Sequence, residues 1–166
     1  MLVTLVIDVT SQQSVDEAKA ELESKLTSLN VLINNAGISG GIPQTALSAT
    51  VDIMKDLFET NLFGMIGTNL AFIDLPKKLD APRIVNVTFD PGSLTLQSNP
   101  AYEHYKVKTG ACDPSKTDLN AYTIALAYEL RELPFKINAV NPEYTANDFN
   151  HYTGSKSVGE MVPRLF

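Results

Sequence analysis

Leu32-Ile33-Asn34-Asn35-Ala36-Gly37 carries an apolar strand directly into an Asn-Asn-Ala-Gly turn, and the rest of the chain can be read outward from it. Upstream, residues 2–9 are rich in Leu, Val and Ile, a short unbroken apolar run that predicts a buried strand. Between the two, Ser14-Val15-Asp16-Glu17 has the Ser-x-x-Glu spacing of a capping box. Val15, Ala18, Leu22 and Leu26 follow at helical spacing. Downstream, Gly37, Gly40, Gly41 and Pro43 mark a loop. A long helix is predicted over residues 48–75, with Val51, Met54, Phe58 and Met65 on one face and Pro76 as its stop. Residues 83–88 read as a strand, and residues 90–111 show turn residues and little periodicity. Asp113 caps a further helix with Pro114 at its first position. Its buried face is Leu119, Tyr122, Leu126 and Leu130, and Pro134 ends it. Residues 136–140 form the last clear strand, and residues 157–166 read as a helical start. The order β-α-β-α-β-α-β predicts an α/β fold, a Rossmann-like parallel sheet with helices on both faces and right-handed crossovers.

The chain has 166 residues, which fits a single domain over residues 1–166. Hydrophobic content is 44% and charged content 19%, ordinary for a globular protein. A net charge of -6 argues against a nucleic-acid partner, since phosphate binding needs a basic face. No apolar run approaches the ~20 residues that span a bilayer, so no membrane partner is expected. The N-terminus lacks a basic flank and a small-residue cleavage site, so it reads as a strand and not as a signal peptide. Cys112 is the single cysteine; it excludes an internal disulfide and suits a reducing cytoplasm. His104, His151 and Cys112 make no ligand cluster, and no metal is expected.

Four features then fall in order: Asn34-Asn35-Ala36-Gly37, Asn61 in Thr60-Asn61-Leu62-Phe63-Gly64, Lys116 in Asp113-Pro114-Ser115-Lys116, and Asn141-Pro142. In order and rough spacing they resemble the short-chain dehydrogenase/reductase family, and the likeness covers nearly the whole chain. The resemblance implies a Rossmann-like core, NAD or NADP as cofactor, and a small carbonyl or alcohol substrate. It implies that Asp8 contacts the adenine ring, and that Asn35, Ala36 and Gly37 lie beside the cofactor. Asn61 would hold a proton-relay water. Lys116 would bind the nicotinamide ribose and lower the pKa of a catalytic tyrosine. Pro142, Thr145 and Asn147 would line the cofactor, with Asn147 in place of a threonine that binds the carboxamide.

The chain departs from the pattern at specific positions. The catalytic tyrosine lies four residues before the lysine, and that position is Cys112. A thiol titrates near ~8.5, below a phenol near ~10, but it is several ångströms shorter. The serine that orients the carbonyl matches Phe89, which has no hydrogen-bonding group; strand alternation turns Thr88 to the other face. Glu143 replaces a glycine and adds a carboxylate near the expected pyrophosphate. Two other Tyr-x-x-x-Lys matches exist, Tyr102 with Lys106 and Tyr152 with Lys156, on elements unsuited to a proton relay. Cys112 activated by Lys116 one turn away would be a nucleophile on a third reading.

No G-x-G-x-x-G turn is present; Gly37-Ile38-Ser39-Gly40-Gly41 has the glycines without the spacing. Against the family, the chain reads as a truncated domain without its first two strands, their phosphate loop and its last strand. Residues 2–9 are then expected to pair with residues 31–34 in a four-stranded sheet, or to have the gap filled by a second chain. NAD against NADP stays open, because the strand end that reads the 2′ position is absent. The expected function is an NAD(P)-dependent oxidoreductase of little activity. The alternative is a non-catalytic remnant acting by homo- or hetero-dimerisation through helices 48–75 and 113–133.

Overall fold

The computed structural model describes residues 4–41, 44–75 and 80–161. Its centre is a three-stranded parallel sheet, β1 (Val31–Asn34), β2 (Arg83–Val87) and β3 (Lys136–Val140), in the order β1-β2-β3. Leu32 lies beside Ile84, and Ile84 beside Ile137. α1 (Gln12–Lys25) precedes β1. α2 (Val51–Phe58) and α3 (Met65–Phe72) join β1 to β2, and α5 (Cys112–Glu129) joins β2 to β3. Two short helices complete the described chain, α4 (Leu94–Gln97) and α6 (Val158–Met161). Every connection between strands carries a helix, as parallel pairing requires.

The core follows from the periodicities. Val15 and Ala18 of α1 pack with Phe72 of α3 and with Leu32 of β1. Ile84 of β2 is fully buried with Leu126 of α5 and Phe135, with Ile73, Tyr122 and Ile137 around them. Leu62 and Met65 meet Leu119 of α5. A polar seam runs beside this apolar layer. Asn34 Nδ2 donates to Asn69 Oδ1 and to Asn86 Oδ1, each at 2.8 Å, and Asn86 Nδ2 donates to Thr123 Oγ1 at 2.9 Å. Four elements, β1, α3, β2 and α5, are thereby tied at one depth.

α2 and α3 are one continuous helix interrupted by a π-helical segment, Glu59–Gly64, of wider turn. The sequence predicts the helix over residues 48–75; it runs from Val51, capped by Thr50, to Phe72. Pro76, its expected stop, lies outside the described residues. Gly64 closes the π segment where Val9 crosses the helix. A Cβ there would sit 2.8 Å from Val9 Cγ2 and 2.9 Å from Val9 O, so only glycine admits the crossing. Gly64→Ala is expected to lower stability by about 1–3 kcal/mol, the usual cost of overpacking, read as a lower urea midpoint at constant slope.

Four expectations are corrected. Residues 4–8 form no strand and do not pair with β1; residues 2 and 3 lie outside the described residues. The reason is local. Asp8 is drawn to the start of α1, its N–H donating to Ser14 Oγ at 2.9 Å and its carbonyl accepting from Ser11 N at 3.1 Å. Those bonds commit Asp8 to the helix end instead of a ladder. The N-cap of α1 is accordingly Ser11 and not Ser14. In the third case, residues 90–111 are not wholly irregular: a 3-10 turn, Asp90–Gly92, leads into α4. Asp113 lies inside the first turn of α5, where Thr109 and Asp113 bond reciprocally.

Candidate active site

The site assembles at the carboxyl ends of β1 and β2, over the π segment and the start of α5. Widening the helix at residues 59–64 turns Asn61 inward, where it is almost wholly buried. Asn61 Oδ1 accepts from Ile38 N at 2.8 Å, and Nδ2 donates to Ile38 O at 3.1 Å and to Ser115 Oγ at 3.2 Å. One amide therefore clamps the loop after β1 onto α5. Ser115, whose Oγ also donates to Cys112 O, has no expected role in the sequence reading; its burial inside a helix is what reveals it.

Lys116 is also buried, and its Nζ donates to Val87 O at 2.8 Å, at the last residue of β2. Burial pulls its pKa below the ordinary lysine value. Gly37 stands between the two polar side chains: a Cβ on it would lie 3.2 Å from Asn61 Oδ1 and 3.8 Å from Lys116 Nζ. The structure thus brings Gly37, Asn61 and Lys116 together as the sequence order predicts. Gly92 seats the 3-10 turn on α5, a Cβ there lying 3.1 Å from the Lys116 backbone. Asn35 and Ala36 are exposed at the strand end.

The two departures at the expected catalytic positions share one environment. Cys112 forms a buried cluster with Leu57 and Ala111, and Phe89 packs against that cluster with Ile53 and Met54. Thr88 is buried, and its Oγ1 has no hydrogen-bond partner among the described residues. Burial, reinforced by the Asp113 carboxylate, pushes the Cys112 thiol up to about 11, against a smaller opposing effect of Lys116. A buried thiol held protonated at neutral pH does not favour the nucleophile reading of Cys112. Iodoacetamide at neutral pH is expected to label folded Cys112 roughly 10²–10³-fold more slowly than an exposed cysteine, which has a pKa near 8.5. Unfolding in urea should restore the ordinary rate.

The other tyrosine–lysine pairs do not form. Tyr102 OH donates to Asp90 Oδ2 at 3.2 Å, and burial with that carboxylate pushes its pKa up to about 12. Lys106 is exposed. Tyr152 is exposed in the left-handed region, and Lys156 forms an ion pair with Glu143. That pairing offsets the carboxylate that Glu143 adds beside Pro142.

Of the remaining expected cofactor contacts, Asp8 is fully exposed. Its Oδ1 accepts from Thr10 N and Thr10 Oγ1, and these bonds lower its pKa. Pro142 is half-buried, and its carbonyl accepts from Thr145 Oγ1. The Asn147 side chain serves a reciprocal capping box with Asn150, which engages it within its own turn. The loop from β1 to α2 carries Gly37, Gly40 and Gly41 without G-x-G-x-x-G spacing, and Gly37 forms a cradle beside Asn61 and Lys116.

The sequence profile of the short chain dehydrogenases matches residues 1–157. The chain belongs to the short-chain dehydrogenase/reductase family. Among curated relatives, the short-chain dehydrogenase anuI of Penicillium roqueforti is 30% identical over 165 residues, covering 96% of this chain and 64% of that protein. The 3-ketodihydrosphingosine reductase of Bacteroides thetaiotaomicron is 28% identical, covering 95% of this chain and 53% of that protein. The chain therefore spans between about half and two thirds of these relatives' length. An NADPH-bound carbonyl reductase from chicken fatty liver superposes with a TM-score of 0.79 at 26% identity, covering 89% of this chain and 60% of that one. The carbonyl reductase Sniffer of D. melanogaster shares the fold with a TM-score of 0.81 at 24% identity, covering 95% and 65%. The short-chain dehydrogenases are oxidoreductases, and the parallel sheet with its helices is their Rossmann-like core. Among the described residues no helix is long and apolar enough to cross a membrane.

Proposed function

We propose that this short-chain dehydrogenase chain holds the nicotinamide end of NAD or NADP and has little turnover on small carbonyl or alcohol substrates. The observation that carries this reading is the convergence of Gly37, Asn61 and Lys116 beside an apolar cluster where proton-transfer groups are expected. Lys116 Nζ has three N–H groups, of which Val87 O takes one; the others can reach ribose hydroxyls. Gly37 lets a flat ring approach the backbone without a side chain in the way. When bound, the nicotinamide would supply the hydride. Phe89 and Cys112 give the carbonyl neither an orienting hydroxyl nor a proton donor within reach. The buried thiol also suits a cytoplasmic location, where cysteines stay reduced.

Amide NMR with NADPH tests this. Shifts confined to residues 35–37 and the start of α5, abolished by Lys116→Met, are the expected result. A folded chain whose spectrum does not move with NADPH would sink it.

A second reading, association without catalysis, rests on one observation. Phe63 and Leu70 on the α2–α3 helix, and Ile124 and Tyr128 on α5, are apolar and exposed. Helices 48–75 and 113–133 would then carry a homodimer contact. Gel filtration with light scattering decides it: a dimer that Ile124→Asp dissolves fits, and a monomer at high concentration does not.

A further inference from the structure

Lys116 is a buried cation without a counter-ion. It is 9% exposed, its Nζ donates to Val87 O at 2.8 Å, and no carboxylate pairs with it among the described residues. The groups around the amine are neutral. The loop after β1 offers Gly37, β2 the Val87 carbonyl, the π segment the Asn61 amide, and α5 the Cys112 thiol. That thiol, pushed up to about 11, carries no charge at neutral pH. An unpaired ammonium in such surroundings is disfavoured against the free amine, which is why burial lowers the Lys116 pKa.

The amine also has an approach. Gly37 is half-buried, between the exposed Ala36 and Ile38. A Cβ on Gly37 would lie 3.8 Å from Lys116 Nζ, so with glycine there the backbone alone, and no side chain, covers this flank of the amine. The same Cβ would lie 3.2 Å from Asn61 Oδ1, which keeps the approach narrow. A desolvated lysine is the form in which this side chain condenses with carbonyl compounds.

We propose that Lys116 captures small, unhindered aldehydes as a reversible imine, formed from the side of Gly37. Lys116 gives one proton to solvent, and its nitrogen lone pair bonds to the aldehyde carbon. The carbonyl oxygen then leaves as water, carrying the two protons that remain on nitrogen. Hydrolysis reverses both steps, and neither oxidant nor reductant is consumed. The imine is neutral, so the adduct removes the buried charge. Ketones, with a second substituent on the carbonyl carbon, fit the narrow approach less well. The proposal shares with the cofactor reading only that small molecules reach Lys116 beside Gly37, and it needs no nucleotide.

The full chain, without nucleotide, is equilibrated with propanal at neutral pH and quenched with borohydride, which reduces the imine to a stable secondary amine. Peptide mapping by mass spectrometry reads the occupancy at each lysine. Lys116 is expected to be occupied roughly 10-fold or more above the exposed Lys106. The ratio should fall as pH rises towards the ordinary lysine value near ~10.4, and should vanish in urea. Gly37→Val, shown by circular dichroism to be folded, should lower occupancy at Lys116 several-fold and leave Lys106 unchanged. Occupancy at Lys116 no higher than at Lys106 overturns the proposal. So does a ratio that survives in urea or is unmoved in folded Gly37→Val. Because nucleotide is absent, such a result is separate from a failure to bind NADPH.

Discussion

Replacing Phe89 with Ser and Cys112 with Tyr together is expected to raise NADPH-dependent reduction of simple aldehydes by ~10²–10⁴-fold over the parent chain, the usual worth of a positioned proton donor. Position 112 begins α5, and Lys116 stands one turn further on with its ammonium held against Val87 O. A phenol at position 112 would feel that charge, which favours its ionised form. A hydroxyl at position 89 would sit where the strand end meets the 3-10 turn, on the side of the Cys112 cluster. Either change alone should gain little, because groups that act as a unit are far from additive. The larger tyrosine costs about 1–3 kcal/mol of packing against Leu57 and Ala111. Absorbance of NADPH follows the rate, and its fluorescence on binding is read in the same samples. Binding without a gain in rate would show that more than the proton donor is missing.

The second large effect is structural. Asn86→Ala is expected to cost about 3 kcal/mol or more, as buried groups lose their partners at ~1–3 kcal/mol each. Asn86 accepts from Asn34, donates to Thr123 and is fully buried. Truncation takes one bond from each neighbour, Asn34 keeping Asn69 and Thr123 keeping Leu119 O, and leaves a void. Thr123→Val removes the acceptor for Asn86 Nδ2 and the hydroxyl's own bond to Leu119 O, and should cost about 1–2 kcal/mol. Urea unfolding of the two variants gives the ratio directly. Equal, small losses would mean that water or a shifted side chain satisfies the seam.

Much of this was readable from residue patterns. The strands at Val31–Asn34 and Lys136–Val140 are legible at their observed limits from their Val, Leu and Ile content between turn residues, although neither is fully buried. Asn61 and Lys116 were legible as site residues through their spacing from Asn34-Asn35-Ala36-Gly37. Asn69, Asn86 and Thr123 were not: a polar residue within an apolar strand gives no hint of which distant partners will satisfy it. Ser115 and the carbonyl of Val87 escaped for the same reason, since their roles exist only once α5 lies against the π segment and β2 respectively. Residues 2–9 misled because strand propensity in a short apolar run says nothing about whether an edge is within reach, and local bonds at Asp8 outweighed it.

The sequence by itself determined the family, the alternation of strands and helices, and the presence of Phe89 and Cys112 where the resemblance implies a serine and a tyrosine, since each rests on residue identity and order along the chain. Only the tertiary structure decided that Phe89 and Cys112 share one apolar cluster, that Lys156 neutralises Glu143, and that Asn61 ties the loop after β1 to Ser115. Those facts depend on contacts between residues far apart in the chain. Burial and pairing are properties of the packed molecule, and no local pattern encodes them.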